Sequence, residues 1–451
     1  MKIRNIAMAM GAFALVATAQ NPIVQTKCTP DPAPYVHGDT VYVFTGHDEE
    51  DAEYFSMKDW QVYATTDMVN WTYLGTPMST ATFKWAKQGD NAWASQAIER
   101  NGKWYWYICA EDTTCGLHGI GVGVADNPAG PYVDPIGKPL VPGNWGFIDP
   151  SVFIDDDGQA YLFWGNNGLW YCKLNEDMIS LGSDVIPVEN LADEKAFGPN
   201  VMKMDYQLHK RVMKTGYEEG PWVFKRNGLY YLVYAAGGVP EHMAYSTSKS
   251  IHGPWKYRGR VMDESTSFTI HGGSIEFAGR DFMFYHTADL PNGGGFRRSS
   301  AVEEFKWNPD GTMPLIPMTR EGVKTPVRNL NPYQRVEAET MADSYGLQTD
   351  RLAGHEHYVT SIHNGDWLKL RSVDFGKGAS KVKARCRGIR PGSIQIRVDG
   401  KVAGEVQVNP QSYDWQEFEA PVQGLEGVHD MVFIFRGADG ELFEFDSWIM
   451  E

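Results

Sequence analysis

Asp149-Pro150-Ser151-Val152-Phe153-Ile154-Asp155-Asp156-Asp157-Gly158-Gln159-Ala160-Tyr161-Leu162-Phe163-Trp164 joins an acid–proline step to a tight turn and then to an aromatic, strand-like run. The phrase recurs. It returns as Asp31-Pro32-Ala33-Pro34…Gly38, Trp93…Gly102, Glu219-Gly220-Pro221…Gly228 and His271-Gly272-Gly273…Gly279. The runs that follow these turns are Thr40–Thr45, Lys103–Ala110, Leu229–Ala235 and Arg280–Thr287. A loose period of roughly sixty residues, built of hairpins, predicts a β-propeller or similar array. Asn101-Gly102, Asp157-Gly158, Asn227-Gly228 and Asp310-Gly311 are hairpin-type dipeptides, and no long helical periodicity interrupts them.

The polar segment 322–332 contains two prolines and no packed-strand pattern, so it reads as a linker. The repeat array then spans residues 20–321, and a second unit spans residues 333–451. Alternation in Gly392–Val398 and Val402–Val408, on either side of Asp399-Gly400, predicts a β-sandwich there. The expected fold class is all-β throughout. Residues 1–19 combine a basic start, an apolar stretch and the small-x-small step Ala17-Thr18-Ala19. That pattern predicts a signal peptide cleaved after Ala19, hence a periplasmic or secreted protein. The five cysteines match no metal motif; Cys109 and Cys115 could bridge a short loop, and the others read as buried thiols.

A net charge of −16 argues against nucleic acid or an anionic membrane surface as partner and suits a neutral ligand. The 15 Trp and 22 Tyr supply either an all-β core or stacking platforms for sugar rings.

In a propeller the first strand of each blade lines the axis, so the residues that open each repeat share one pocket. Three of these are acids: Asp31, Asp149 and Glu219. Each is followed at once, or one residue on, by a proline that fixes the backbone beside it. Three converging carboxylates repel. At least one pKa rises, which supplies a proton donor beside ionised partners. Trp93 and His271 open the other two repeats, as candidate wall and floor.

Asp31-Pro-Ala-Pro, Ile148-Asp-Pro-Ser151 and Tyr217-Glu-Glu-Gly-Pro-Trp222 resemble the three signature motifs of glycoside hydrolase family 43. Gly46-His-Asp-Glu49 and Thr66-Asp-Met-Val-Asn-Trp71 are most similar to its arabinofuranosidase members. The resemblance implies an inverting glycosidase on a five-bladed propeller that needs no catalytic cofactor. Asp31 would be the general base, Glu219 the general acid and Asp149 the residue that orients the acid and raises its pKa. Glu218, on the other face of an alternating strand, would point away. Arg298, rather than Arg297, would reach the sugar, and Trp93 would wall the pocket. His271 would lie beneath the acids, near a metal ion or waters. Trp145, Phe147, Trp164 and Trp222 are further pocket candidates with an equal claim to the core.

The second unit resembles carbohydrate-binding module family 6 through Arg335-Val-Glu-Ala-Glu339, Asn364-Gly-Asp-Trp367 and Phe443-Glu-Phe-Asp-Ser-Trp448. This implies a structural calcium held by Glu337, Glu339 and Asp446, whose oxygens suit a hard cation. The sugar cleft departs from the family: Ser361 stands where a platform aromatic is usual and Glu444 where an asparagine is usual. Trp415 keeps the second stacking wall. The expected activity is exo-acting release of α-L-arabinofuranosyl groups from plant cell-wall carbohydrate such as arabinoxylan. A β-xylosidase and a non-catalytic glycan-binding protein are the alternatives.

Overall fold

The computed structural model describes residues 20–201, 216–352 and 356–451. The expected signal segment, residues 1–19, lies outside the described residues. Apart from a 3-10 turn at Thr80–Thr82 and a four-residue helix at Glu194–Phe197, every described element is a strand.

Five antiparallel sheets follow one another. The first holds β1 (Ala33–His37), β2 (Thr40–Thr45), β3 (Asp59–Thr65) and β4 (Trp71–Ser79). The second holds β5 (Gln96–Arg100), β6 (Lys103–Asp112) and β7 (Leu117–Ala125). The third holds β8 (Ser151–Ile154), β9 (Ala160–Trp164), β10 (Trp170–Lys173) and β11 (Ile186–Pro187). The fourth holds β12 (Tyr217–Arg226), β13 (Leu229–Ala236), β14 (His242–Ser248) and β15 (Lys256–Met262). The fifth holds β16 (Ser274–Phe277), β17 (Arg280–Thr287) and β18 (Ser299–Phe305).

Each sheet is a meander whose first strand lies inward. β1 lies beside β5, β5 beside β8, β8 beside β12, and β1 beside β16. Trp222 Nε1 donates to Ser274 O at 3.2 Å and ties β12 to β16. The N-terminal segment completes the fifth sheet: Thr29 bridges Ser299 in parallel, and Ile23 N–H donates to Ser300 O at 2.8 Å. Sheets packed on both faces explain why β9 and β14 are buried along their whole length, which hides the alternation that a half-exposed strand would show.

The hairpin signals act through backbone angle. Asn101 and Gly102 have φ of 55° and 76°, and Asn227 and Gly228 have 49° and 74°, as a two-residue turn between twisted strands requires. Asp310-Gly311 differs: it turns a loop in which Asn308 N–H donates to Thr312 O at 3.0 Å, and no strand follows until Val336. Cys109 and Cys115 are not bonded to each other; all five cysteines are free thiols.

From Val336 onward two further antiparallel sheets enclose a separate core that includes Leu368, Ile396, Phe433 and Trp448. One is built on Lys381–Arg387 and Glu444–Met450, the other on Trp367–Asp374, Val428–Gly437 and Gly392–Val398. Thr340–Met341 leaves this unit and pairs with β4 as a fifth strand of the first sheet. It thereby covers an edge that would otherwise present unpaired backbone groups. The expected linker is a packed strap: Val323 is fully buried, and Leu330 exchanges backbone hydrogen bonds with Ser372 and Asp374.

Arg371 clasps the two parts. Its Nη1 donates to Gln20 Oε1 at 2.9 Å and Val323 O at 3.0 Å, its Nη2 to Lys324 O at 2.8 Å, and its backbone N–H to Asn70 Oδ1 at 2.8 Å. Removing this guanidinium leaves buried acceptors unpaired. Arg371→Ala is therefore expected to cost about 2–4 kcal/mol, read as a lower Tm or denaturation midpoint. An unchanged midpoint would contradict the clasp.

Candidate active site

The residues that open the repeats meet at the inner ends of the sheets. Asp31 and Asp149 are each 4% exposed, and both sit in left-handed backbone, at φ of 56° and 58°. That conformation is uncommon for a non-glycine residue and is held only where the surroundings over-determine it.

Asp31 lies beside one guanidinium and two imidazoles. Its Oδ1 lies 3.1 Å from Arg298 Nη1, 3.1 Å from His286 Nδ1 and 4.0 Å from His271 Nδ1. Burial opposes its ionisation, but Arg298, then His286 and His271, outweigh burial and hold the carboxyl well below the ordinary carboxylate range. Among the described residues, Asp149 and Glu219 form no ion pair. Asp149 Oδ2 accepts from Gly220 N–H at 3.1 Å, and burial, then Glu219 and Asp31, push its pKa well up. Glu219 is less buried, accepts from Asn166 Nδ2, and is raised by burial and by Asp31. The site thus places one carboxylate that stays ionised near a pair that retains a proton.

Arg298 is itself locked. Asp48 Oδ2 accepts from its backbone N–H at 2.8 Å and its Nε at 3.0 Å, and Asp48 Oδ1 accepts from Nη2 at 2.9 Å. Only Nη1 is left for Asp31. Arg297 turns elsewhere, to Asn292 O and Ala52 O. His271 lies under Gly220, where an added Cβ would come within 3.1 Å of its Nδ1. Burial lowers the His271 pKa to about 4, so its ring is neutral. Trp93 is braced by a hydrogen bond from Nε1 to Phe55 O at 2.9 Å and by the stacked ring of His118, with centroids 4.6 Å apart.

Of the other aromatic candidates, Phe147, Trp164 and Trp222 are core residues, and Trp145 is exposed beside His118. Phe55, Phe268 and Phe296 form an edge-to-face cluster beside the guanidinium of Arg298; they carried no repeat signature. Asp48, His286 and Glu241 were also missed. Glu241 is buried, with Oε2 accepting from Ile270 N–H at 2.8 Å, and burial followed by the charges of Glu219 and Glu218 raises its pKa well up.

The second unit holds its expected residues in a different state. Arg385 and Arg387 lie over the Trp415 ring at 5.1 and 4.5 Å, Glu356 accepts from its Nε1 at 3.0 Å, and Glu444 pairs with Arg387. Arg335 engages both oxygens of Glu337, and Arg335 and Arg385 reach Asp446 Oδ2. Glu339 Oε2 and Asp446 Oδ1 are buried without a hydrogen-bond partner, and these orphaned oxygens are the part of the set that fits a hard cation. Among the described residues, no three His, Cys, Asp or Glu side chains are gathered as a metal cluster.

Glu218 does not face solvent. A register shift between Tyr217 and Glu219 breaks the alternation, and Glu218 is 7% exposed with Oε2 unpartnered. Burial, then Glu219, raises its pKa from 4.5 to about 8. A raised carboxyl binds its proton more tightly in the folded state, so its contribution to stability is present at low pH and is lost as pH rises through that window. Glu218→Gln is therefore expected to raise Tm relative to the parent at pH 8 and to change it much less at pH 5. Equal shifts at both pH values would contradict this.

The model of glycosyl hydrolases family 43 matches residues 19–313, and that of carbohydrate binding module (family 6) matches residues 337–451. An arabinoxylan arabinofuranohydrolase of Bacillus subtilis (strain 168) is 32% identical, over 95% of this chain and 91% of its own length. A xylosidase/arabinosidase of Bacteroides ovatus is 29% identical, over 63% of this chain and 94% of its own length. A family 43 arabinoxylan arabinofuranohydrolase from Bacillus subtilis, solved in complex with cellotetraose, superimposes with a TM-score of 0.80 at 29% identity, covering 96% of this chain and 97% of that one. The sheets, the buried acids and these likenesses agree, and the chain belongs to glycosyl hydrolases family 43 and is a glycoside hydrolase.

Proposed function

We propose that this protein is an inverting, exo-acting α-L-arabinofuranosidase that removes arabinofuranosyl side groups from plant cell-wall arabinoxylan or its oligosaccharides. The observation that carries the reading is the split in carboxyl state: Asp31 is kept ionised by Arg298, whereas Glu219 and Asp149 are pushed toward their protonated forms. The nearly full-length likeness to an arabinoxylan arabinofuranohydrolase supports the choice of sugar. Relatives named xylosidase/arabinosidase keep β-xylosidase activity as the second reading.

In the proposed mechanism Asp31 takes a proton from water as that water attacks the anomeric carbon. Glu219 gives its proton to the leaving oxygen from the opposite face. Inversion requires the two carboxyls to stand roughly 6.5–9.5 Å apart, with room for water between them. Asp149 fixes the backbone beside the acid through Gly220 N–H, and we assign it the role of orienting the acid. Arg298 and Trp93 border the sugar, and neutral His271 would form the floor, where a free ring nitrogen would hold water or a metal ion. Neither proton transfer needs a cofactor.

The five sheets are read as five propeller blades within residues 20–321, followed by a strap at 322–332 and a β-sandwich at 333–451. The N-terminal pattern supports export to the periplasm or beyond, with cleavage after Ala19. Trp415 is the sandwich's candidate sugar contact, and a structural calcium would be held by Glu339 and Asp446, with Glu337 as third donor.

Two experiments test these assignments. Glu219→Gln is expected to lose about 10²–10⁴-fold in kcat on arabinoxylan oligosaccharide and far less on an aryl arabinofuranoside with a good leaving group, whereas Asp31→Asn loses activity on both. Wild-type turnover by Glu219→Gln on the poor leaving group would remove it from the acid's role. Dialysis against a calcium chelator is expected to lower Tm, with recovery on adding calcium and no response in Glu339→Gln. A chelator-insensitive Tm in the parent would refute the calcium.

A further inference from the structure

A cavity of about 600 Å³ lies against the fourth sheet, between β13–β15 and the loop 307–312. Its size falls within the roughly 300–1,000 Å³ range of small-molecule sites. We propose that it is a second, non-catalytic site for a saccharide ring that carries a carboxylate. The choice of a saccharide over other anions rests on the glycan-cleaving function argued above; the site itself does not.

The walls are aromatic and fixed. The Tyr231 and Tyr245 rings lie nearly parallel, 9° apart with centroids at 6.1 Å, and Trp307 meets Tyr231 edge-on. Both tyrosine hydroxyls are already used: Tyr231 donates to Gly311 O at 2.9 Å, and Tyr245 accepts from Met313 N–H at 3.0 Å. Tyr231 and Tyr245 are 3% and 1% exposed and Phe224 stacks on Tyr231 at 5.0 Å, so the pair forms a rigid base beneath the cavity rather than a stacking face.

Two arginines supply the charge. The Arg226 guanidinium lies 4.3 Å over the Trp307 ring, and Arg258 Nε donates to Thr247 Oγ1 at 2.8 Å. A guanidinium stacked on a ring keeps its N–H donors in its own plane, where they can take a carboxylate in bidentate fashion. Among the described residues neither arginine forms an ion pair. The charge of Arg258 also reaches Asp310, on the same lining. Asp310, the one carboxylate of the lining, is turned to Thr312, accepting from its N–H at 3.0 Å and its hydroxyl at 2.6 Å. Both arginines are close enough to the Tyr231 hydroxyl to offset part of the upward push that burial gives it.

The cavity is remote from the acids. Arg226 ends β12, seven residues after Glu219, which at about 3.3 Å per residue sets the two sites roughly 20 Å apart. A polymer bearing acidic side groups would thus be retained at one end of the fourth sheet while the other end cleaves neutral side groups.

The test is calorimetric titration of the full chain with glucuronoyl-substituted xylotriose, unsubstituted xylotriose and inorganic phosphate. The acidic saccharide is expected to bind at least about tenfold tighter than the neutral one, and Arg226→Gln/Arg258→Gln is expected to erase that difference. Turnover of an aryl arabinofuranoside should be unchanged in the double variant. Equal binding of the two saccharides, a preference that survives in the double variant, or binding of phosphate without the acidic saccharide would each overturn the proposal. Should the aryl substrate not be cleaved while the acidic saccharide still binds, the catalytic reading fails and this site stands.

Discussion

Arg298 divides one buried positive charge between Asp31 and Asp48, and the same few residues close the ring of sheets. Thr29, two residues before Asp31, bridges Ser299, and its N–H donates to Arg298 O at 3.0 Å. Joining the N-terminal segment to the last sheet therefore sets the distance between Asp31 and Arg298. A loosened closure would weaken the fold and at the same time remove the cation that keeps Asp31 ionised. Burial makes the arrangement consequential, because charges withdrawn from water interact more strongly and leaving one unpaired is costly.

The contrast among the acids follows from which of them this cation contacts. Asp31 contacts a guanidinium and two imidazoles; Asp149 and Glu219 meet an amide N–H and a carboxamide; Glu218 and Glu241 add further buried carboxyls nearby. Identical chemistry thus takes opposite protonation states within one pocket, as a paired acid and base require. The second unit contributes to stability rather than to this pocket. It lends a strand to the first sheet and the Arg371 clasp, and its Trp415 ring is faced by two arginines.

The repeat made the sheets and their opening residues legible, because each copy carries its acid, tryptophan or histidine at the same phase. Asp48 and Arg298 are 250 residues apart and share no phase, so their contact exists only after ring closure. His286 acts from within β17 and Glu241 from the residue before β14, where nothing separates a buried polar residue from its neighbours in sequence. Glu218 shows what strand alternation leaves out: Gly220, at φ of 62°, lies within the irregular stretch of β12, and alternation gives no sign that the glutamate is buried. Asp310-Gly311 shows the converse. A correct turn signal does not reveal whether strands flank it.

The stereochemistry of the first product tests the central claim most directly. Proton NMR during cleavage of an α-L-arabinofuranoside distinguishes the anomers before they interconvert. Water activated by Asp31 and a leaving group protonated by Glu219 from the opposite face predict β-arabinofuranose as the first signal, with the α-anomer growing later by mutarotation. Initial release of the α-anomer would contradict the assignment of Asp31 as base and require a covalent intermediate instead.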